Sequence, residues 1–496
     1  METSYHSTRS NTQGFESKQA ILMGIAPDGG LFVSDQIGNN TLDLSTVCAN
    51  DYHANARLVL KTLLPDYTTE EIASCVEGAY GSQWDTSAIT PLSPIGTDWL
   101  LELYHGPTCA FKDVALQMLP RLMSAASSTA GDGRNVMILT ATSGDTGKAA
   151  LDGFADVEGT GVTVFYPDGK VSDVQRLQMV TQRGSNVAVC GIRGNFDDAQ
   201  TGVKKIFSDP DFAARLLANN TVLSSANSIN VGRLVPQVTY YFDAYAQLVR
   251  AGAVRQGDAI DFCVPTGNFG DVLAGFYAQQ IGLPVGKLIV ASNANNVLTD
   301  FITTGTYDRR RPFHKTISPS MDILVSSNLE RLLYYLSGGD CELVAAYMHD
   351  LANKGFYTVS ASILEALRAT FDCGFADDVA TSATIRSTWN ELGVLIDTHT
   401  AVGKAVIDAR ASEGRQRVCL STASPYKFSS DVLAALGAST AGLDGFACMD
   451  ELEKLTNTKA PQQLSGLRTA TELHTDVCDQ DKMEAFVESA CARVFL

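Results

Sequence analysis

Basic residues are scarce in this sequence. It has 37 lysines and arginines against 55 aspartates and glutamates, which gives a formal net charge of −18. Proteins that bind nucleic acids or anionic membranes present basic patches, so this shortage argues against both kinds of partner. It does not exclude a small anionic ligand, because a few arginines and backbone N–H groups can form a local anion site within an acidic protein.

Long apolar runs, paired cysteines and clustered histidines are missing as well. No apolar stretch approaches the roughly 20 residues of a membrane-spanning helix, and the start "METSYHSTRSN" has no signal-peptide core. The eleven cysteines occur singly, without a CxxC pair, which is typical of free thiols in a reducing compartment. The seven histidines form no HExxH motif or close metal-binding pair. We therefore expect a cytoplasmic protein without a metal site.

The composition is that of a globular protein with several domains. The chain has 496 residues, of which 45% are hydrophobic, and a domain usually has about 100–200 residues. From about residue 98, short β-rich runs alternate with polar loops and helices, for example "NVMILTAT", "SGDTG" and "KAALDGFAD". This alternation predicts an α/β protein with parallel sheets, in which ligands bind beyond the carboxyl ends of the strands.

The same alternation of strands and helices predicts that the chain has four parts. We expect a mixed α/β segment over residues 1–97, a smaller α/β domain over 98–240, a larger α/β domain over 241–430, and a helical segment over 431–496 that packs on the larger domain. The polar, glycine-bearing loops follow predicted strands in the two middle parts. A ligand site is therefore expected there.

The loop in "TATSGDTGKAA" does not fit a nucleotide-binding P-loop. Thr142 stands where that motif needs its first glycine, and Ala149 stands where it needs Ser or Thr. What remains is a strand end followed by glycines, hydroxyls and a helix start, in which Ser143, Gly144 and Thr146 could hold a carboxylate. A well-capped turn without a ligand explains the loop equally well.

Two further loops suit anions. In "PTGNFGD", Gly267 and Gly270 let the backbone approach a ligand phosphate, although the full GxGxxG fingerprint is absent. In "SANSINVGR", Asn227, Ser228 and Arg233 could bind phosphate oxygens. Ordinary helix caps and a surface arginine are the alternative for the second loop.

One lysine lies beside a predicted apolar helix face. In "HGPTCAFKDVALQ", Pro107 and Thr108 predict a helix start, and Phe111 and Ala115 share the apolar face next to Lys112. A helix start and burial both lower the pKa of an amine, which is how a reactive lysine is activated. A solvated surface lysine is the alternative. His105 and His399 lie in comparable small loops, where a hydrogen-bonded structural role and a role as base both stay open.

Taken together and in order, these segments resemble the threonine synthase family of fold type II pyridoxal-phosphate enzymes. The resemblance rests on "HGPTCAFKD", "LTATSGDTG", "YPDGKVSDVQ", "VPTGNFGD", "SPSMDILVSSNLER", "DTHTAVG" and "STASPYKF". It implies two parallel-sheet α/β domains with an N-terminal mixed segment, and pyridoxal 5′-phosphate as cofactor. It also implies conversion of O-phospho-L-homoserine and water to L-threonine and phosphate by γ-elimination and β-addition, the last step of threonine biosynthesis.

The resemblance assigns roles to individual residues. Lys112 is expected to be the catalytic Schiff-base lysine. The expected cofactor-binding residues are Lys112, Gly267, Asn268, Phe269, Gly270, Asp271 and Thr422. Thr422 matches the hydroxyl residue that meets the pyridine nitrogen. The expected substrate-binding residues are Ser143, Gly144, Asp145 and Thr146 for the carboxylate, and Asn227, Ser228 and Arg233 for the phosphate.

The departures from the family pattern are small. Cys109 stands where leucine is expected, and Thr398 where proline is expected. The long N-terminal extension that accompanies S-adenosylmethionine activation is absent from the sequence, so we expect no such effector. The expected assembly is a monomer or a small homo-oligomer.

Three alternatives stay open. A related phospholyase would release phosphate and ammonia and form 2-oxobutyrate. Another fold type II enzyme, such as a threonine or serine dehydratase, would need no substrate-phosphate site. A catalytically inactive α/β ligand-binding homologue would keep the fold without the chemistry.

Overall fold

The computed structural model of the chain describes residues 4–129, 133–142 and 144–495. Within these ranges the strands are β1 Tyr5–Ser7, β2 Phe32–Ser34, β3 Leu92–Ile95, β4 Asp98–Glu102, β5 Asn135–Ala141, β6 Thr160–Pro167, β7 Val187–Ile192, β8 Thr221–Ser224, β9 Ile260–Pro265, β10 Val285–Ser292, β11 Thr306–Asp308, β12 Phe356–Thr358, β13 Phe371–Phe375, β14 Arg417–Ser421 and β15 Asp476–Cys478.

The helices of the same ranges are α1 Ser17–Met23, α2 Leu44–Ala49, α3 Tyr52–Leu63, α4 Thr69–Ala79, α5 Lys112–Thr129, α6 Asp145–Phe154, α7 Asp173–Val180, α8 Phe196–Phe207, α9 Pro210–Ala218, α10 Val231–Arg250, α11 Gly270–Gln280, α12 Val297–Thr304, α13 Leu329–Leu336, α14 Cys341–Asn353, α15 Ala361–Thr370, α16 Asp378–Leu392, α17 Thr398–Asp408, α18 Ser429–Ala435, α19 Gly445–Thr456, α20 Gln462–Ser465 and α21 Met483–Phe495. Short 3₁₀ turns cover Pro319–Met321, Pro425–Phe428, Gly466–Thr469 and Gln480–Lys482. No helix in the described ranges is both long enough and apolar enough to cross a membrane.

Two parallel sheets organise the fold, as the alternation of strands and helices predicts. The larger has the order β13-β10-β9-β14-β4-β3, and β3 is its antiparallel edge strand. The smaller has the order β15-β7-β6-β5-β8 and is parallel throughout. The inner strands β6, β7 and β9 are buried along their whole length, because helices cover both faces of each sheet.

The sheets divide the chain differently from the four expected parts. Strand β4 falls in the expected smaller domain, yet it pairs with β14 in the larger sheet. In the expected C-terminal segment, α18 and α19 pack with the larger sheet's core, whereas α21 packs on the smaller sheet. The physical reason is the apolar face of α21, on which Met483, Val487 and Cys491 recur every four residues and cover Phe165 of β6. Whether the expected boundaries delimit independent folding units stays a prediction.

Three buried helices lie side by side near the junction of the sheets. Helix α10 is buried along almost its whole length and packs on α5 and α11. The first turns of these helices carry Lys112, Arg233 and Gly270, and all three residues line the same cavity. The packing of three helices therefore brings residues that are far apart in the sequence to one place.

Candidate active site

A cavity of about 350 Å³ lies beyond the carboxyl ends of strands from both sheets. Thr142 follows β5, Thr266 follows β9 and Thr422 follows β14, and all three line the cavity. The expected cofactor residues that line it are Lys112, Gly267, Asn268, Phe269, Gly270, Asp271 and Thr422. The volume falls within the range of small-molecule sites.

The segment before Lys112 differs from the predicted helix start. Helix α5 begins at Lys112, and not at Pro107 or Thr108. Cys109 has a left-handed φ of 57°, and Ala110 forms an isolated bridge with Ala423, so the helix cannot begin earlier. From the first turn of the helix, Asp113 accepts hydrogen bonds from the N–H and hydroxyl of Thr108 at 2.8 and 2.6 Å, which tie the preceding segment to the helix. Burial raises the pKa of Asp113 to about 6, although these hydrogen bonds act to lower it.

Lys112 is held close to the Thr422 segment. The N–H of Phe111 donates to the carbonyl of Thr422 at 2.8 Å. The Lys112 side chain is 12% exposed, and its Nζ lies 3.5 Å from Asp145 Oδ2 and donates to Ser320 Oγ at 3.3 Å. Burial lowers the pKa of Lys112, which Asp145 opposes and the charges of Lys427 and Arg233 reinforce.

Asp145 is placed between two lysines. Its Oδ2 faces Lys112, and its Oδ1 lies 3.2 Å from Nζ of Lys427, whose side chain is fully buried. Burial favours the protonated acid, but the charges of Lys427 and Lys112 outweigh it and hold the pKa of Asp145 well below its usual range. Asp145 is therefore an anion that contacts the candidate catalytic amine.

His399 supports the opposite wall of the cavity. Its Nε2 accepts a hydrogen bond from the N–H of Ser320 at 3.1 Å, and its Nδ1 lies 2.8 Å from Asp397 Oδ2. Because Nε2 accepts, the ring proton belongs on Nδ1, where it is donated to Asp397. His399 thus orients Ser320, the residue that contacts Lys112.

The loop before α11 forms a cradle of backbone N–H groups. Phe269 adopts a left-handed φ of 62°, and no side chain caps the helix that follows it. The N–H groups of Asn268, Phe269 and Gly270 donate to no acceptor among the described residues. A Cβ at Gly267 would lie 2.7 Å from the carbonyl oxygen of Ser320, so a glycine is needed there. This helix end suits a phosphate group.

Asp271 lies at the base of this cradle. Its Oδ1 accepts hydrogen bonds from the hydroxyls of Tyr240 and Tyr241, whereas its Oδ2 has no partner among the described residues. Burial raises the pKa of Asp271 to about 7, although the tyrosine hydroxyls act in the other direction. The carboxyl group is therefore poised to change protonation near neutral pH.

A second cationic group faces the cavity from α10. Arg233 is buried, and its Nη1 donates to the carbonyl of Ala226 at 3.0 Å. Its other N–H groups meet no acceptor in the part of the chain that the structure describes, and Nε is buried and unpaired. Burial lowers the pKa of Arg233 to about 10. Asn227 and Ser228 line the cavity beside it.

The expected carboxylate loop reaches the cavity only in part. Thr146 lines it, whereas Gly144 and Asp145 are not among the lining residues, and Ser143 lies outside the described residues. Thr142 Oγ1 accepts from the N–H groups of Gly144 and Gly147 at 3.0 and 3.1 Å. The N–H groups of Asp145 and Thr146 have no acceptor among the residues described.

Sequence reasoning missed two residues of the site. Ser320 and Lys427 contact Lys112 or its partner Asp145. His399, for which the sequence leaves two roles open, orients Ser320. Ser320 and Lys427 lie in "SPSMD" and "SPYKF", which carried the resemblance without an assigned chemistry. Their side chains reach the site only through the pairing of strands far apart in the chain.

The geometry joins a buried amine, an uncapped helix end and a buried guanidinium around one space. The amine can react with an aldehyde, and the other two groups can bind two separate anions. This combination suits a phosphorylated aldehyde cofactor together with a phosphorylated substrate.

Comparison with known proteins agrees with this geometry. Three family models match: "Threonine synthase N terminus" over residues 4–80, "Pyridoxal-phosphate dependent enzyme" over 95–422, and "Threonine synthase, C-terminal" over 400–487. The "Threonine synthase" of Pseudomonas aeruginosa is 37% identical over 475 residues, with 95% of this chain and 98% of that protein covered.

Two further relatives define the range of the likeness. The human protein "Threonine synthase-like 1" is 39% identical over 430 residues, which cover 84% of this chain. The match spans 58% of the human protein's length. The crystal structure of a PLP-bound threonine synthase from Brucella melitensis superposes with a TM-score of 0.89 at 35% identity, over the whole of both chains. This chain belongs to the threonine synthase family of pyridoxal-phosphate-dependent enzymes.

Proposed function

We propose that this protein converts O-phospho-L-homoserine and water to L-threonine and inorganic phosphate, as a carbon–oxygen lyase that acts on phosphates. The observation that carries the proposal is that Lys112 lines one cavity together with two separate anion-binding regions, the cradle at residues 267–270 and the guanidinium of Arg233. One region serves the phosphate of the cofactor and the other the phosphate of the substrate. A dehydratase would need only the first.

The residues present fit pyridoxal phosphate, the cofactor of this family. Lys112 is the amine that would bind its aldehyde carbon. The unpaired N–H groups of Asn268, Phe269 and Gly270 would bind its phosphate. The Thr422 hydroxyl lines the cavity and would meet its pyridine nitrogen. When bound, this cofactor withdraws electrons from the Cα of an amino acid.

The substrate phosphate is assigned to the start of α10. Arg233 offers unpaired N–H groups, and Asn227 and Ser228 add polar side chains on the same stretch of the cavity wall. Arginine suits phosphate because its planar guanidinium can bind two oxygens at once. Asn328 keeps this loop in place, since its Nδ2 donates to the carbonyls of Ser228 and Asn268 at 3.1 and 3.0 Å.

The substrate carboxylate is assigned to the start of α6. Thr146 contributes its hydroxyl, and the N–H groups of Asp145 and Thr146 lack acceptors among the described residues. The Asp145 side chain would repel a carboxylate, but it is turned towards the two lysines. We therefore assign the backbone of Asp145 to the substrate and its carboxylate to Lys112.

Lys112 is the proposed base. Once the substrate amine has displaced it, its Nζ would accept the proton from the substrate Cα. A neutral amine is needed for this step, which agrees with the direction in which burial shifts its pKa. The walls of the cavity hold the substrate while water adds at Cβ.

The cellular setting is part of the proposal. All eleven cysteines are free thiols in the structure, which supports the cytoplasm as the compartment. We further propose a monomer or a small homo-oligomer, with no macromolecular partner needed for the reaction.

The test is to measure phosphate and amino-acid products together from O-phospho-L-homoserine. Equal release of phosphate and threonine is the expected result. Formation of 2-oxobutyrate without threonine would establish the phospholyase instead. No product from O-phospho-L-homoserine, despite bound cofactor, would reject both reactions.

Replacement of the reactive lysine gives a second readout. Lys112→Ala should abolish product formation and the borohydride-stable attachment of the cofactor to the chain, because the amine is its point of attachment. Lys148→Ala is the matched control, since Lys148 lies on α6 and pairs with Asp152 at 3.2 Å, behind the cavity wall. Cofactor that stays attached in Lys112→Ala would contradict the assignment.

A further inference from the structure

Two positively charged side chains share one carboxylate beside the cavity. Lys112 and Lys427 approach different oxygens of Asp145, at 3.5 and 3.2 Å. Arg233 adds a third positive charge to the surroundings of Lys112, and His399 reaches it through Ser320. If Lys112, Lys427 and Arg233 were all ionised, three positive charges would face the single carboxylate of Asp145, so one proton is held weakly.

The surroundings of Lys427 compensate a buried positive charge. The side chain of Lys427 is fully buried, and its ammonium group has three oxygen atoms around it. These are the carbonyl of Thr108 at 2.8 Å, Oε1 of Gln178 at 3.3 Å and Oδ1 of Asp145 at 3.2 Å. The first two oxygens accept hydrogen bonds from the ammonium group, and the Asp145 carboxylate adds an ion pair, so the buried charge is compensated.

The Nζ of Lys112 has fewer hydrogen-bond acceptors among the described residues than the Nζ of Lys427. Lys112 Nζ lies 3.5 Å from Asp145, which is longer than a charge-assisted hydrogen bond of about 2.7–2.9 Å. Its hydrogen-bond partner among the described residues is the hydroxyl of Ser320, which also donates to Asp145 Oδ2 at 3.3 Å. A hydroxyl can serve a neutral amine as well as a charged one.

We propose that Lys427 is a positioning residue for the Lys112 amine. By binding Asp145 from the opposite side, Lys427 prevents this carboxylate from holding a proton on Lys112. The amine is thereby kept ready in its neutral form, in which its lone pair is available. The benefit to catalysis rests on the proposed function, in which Lys112 must attack a carbonyl carbon and accept a proton.

The position of Lys427 in the fold explains its effect. It lies in the 3₁₀ turn Pro425–Phe428, which directly follows β14 and Thr422. From there its side chain reaches Thr108 before α5, Asp145 at the start of α6, and Gln178 on α7. One buried ammonium group therefore ties the segment that carries Thr422 to both the reactive lysine's helix and the smaller sheet.

The test measures the protonation of Lys112 without using the reaction. The full chain, freed of cofactor, is acetylated with trace acetic anhydride over a series of pH values, and the Lys112 peptide is quantified by mass spectrometry. Lys427→Met should move the midpoint of Lys112 labelling to higher pH, because Asp145 is then left to Lys112 and a repelling charge is gone. Lys427→Arg should stay near the unmodified chain.

Two further variants complete the design. Asp145→Asn should move the midpoint to lower pH, because the anion is removed while both cations remain. Lys404→Met is the matched control, since Lys404 is also buried but pairs with Asp408 on α17, away from the cavity. It should leave the midpoint unchanged.

Each outcome of the labelling experiment either supports or contradicts the proposal. An unchanged midpoint in folded Lys427→Met, an equal shift in Lys404→Met, or a shift in Lys427→Arg as large as in Lys427→Met would overturn the proposal. If Lys427→Met does not fold, Asp145→Asn decides, and an unchanged midpoint there overturns it too. Labelling needs neither cofactor nor substrate, so the result is independent of the proposed reaction.

Discussion

The assignment of Arg233 to the substrate phosphate gives the sharpest prediction. Arg233→Met keeps an unbranched, apolar stem of similar length and removes the guanidinium. Among the described residues, this variant loses one side-chain hydrogen bond, from Nη1 to the carbonyl of Ala226 at 3.0 Å. The remaining N–H groups have no acceptor among the described residues, so they are available to a ligand.

The expected magnitude follows from these groups. A hydrogen bond to a charged group contributes about 1.5–3 kcal/mol, and about 1.4 kcal/mol corresponds to a tenfold change in affinity. The loss of one such bond should therefore raise KM for O-phospho-L-homoserine by about 10- to 150-fold. Stability should change little, because the lost bond to Ala226, at about 1 kcal/mol, is offset by the removal of a buried and incompletely paired charge.

The assay is the rate of phosphate release as a function of substrate concentration, with inorganic phosphate as a competing inhibitor. Arg417→Met is the matched control, because Arg417 is also largely buried but pairs with Asp98 at 2.6 Å, outside the cavity. The control should lose about 3–5 kcal/mol of stability and keep its KM. An unchanged KM and unchanged phosphate inhibition in Arg233→Met would refute the assignment.

Two more predictions concern stability. Between about pH 4 and 7, Asp271 is protonated in the folded chain and ionised in the unfolded chain. The free energy of unfolding should therefore fall as pH rises through this window. For a folded-state pKa of about 7, the total decrease is about 4 kcal/mol. Asp271→Asn should flatten that part of a Tm-against-pH curve measured without cofactor, and an unchanged slope would contradict the assigned protonation. Gly153→Ala should destabilise the chain by roughly 1–3 kcal/mol or more in urea unfolding, because its Cβ would lie 1.9 Å from the carbonyl oxygen of Leu116 on α5. Gly466→Ala, which meets no atom within 4 Å, is the control and should be nearly neutral.

The sequence predicted the parts of the site that local patterns encode. Continuous apolar strands followed by glycine-bearing loops indicate parallel sheets, and the loops then fall at the carboxyl ends of the strands. Gly267, Asn227 and Thr146 all line the cavity, and their roles as ligands stay predictions. The resemblance added Lys112 and Thr422, whose residue types alone have common structural explanations.

The other parts of the site depend on contacts between residues that are far apart in the sequence. Asp145 belongs to the predicted substrate loop, but its partner Lys427 is 282 residues away and arrives through the pairing of β14 with β4 and β9. The start of α5 was misplaced for a similar reason, because the bridge from Ala110 to Ala423 overrides the local preference for a helix after Pro107. Ion pairs and strand bridges between residues so far apart in the sequence leave no periodic pattern in it.

The strand β15 has a consequence for the synthesis of the chain. It pairs with β7, although about 280 residues separate the two strands, so β7 is an open sheet edge until β15 has been synthesised. At about 5–20 residues per second, that edge stays uncovered for roughly 15–60 seconds. During this time Cys190 and its neighbours on β7 can pair with another nascent chain, because an unpaired parallel edge accepts any extended partner. The pairing of β15 with β7 thus ends the period in which β7 can pair with the wrong chain, a period that includes the synthesis of most of the larger sheet.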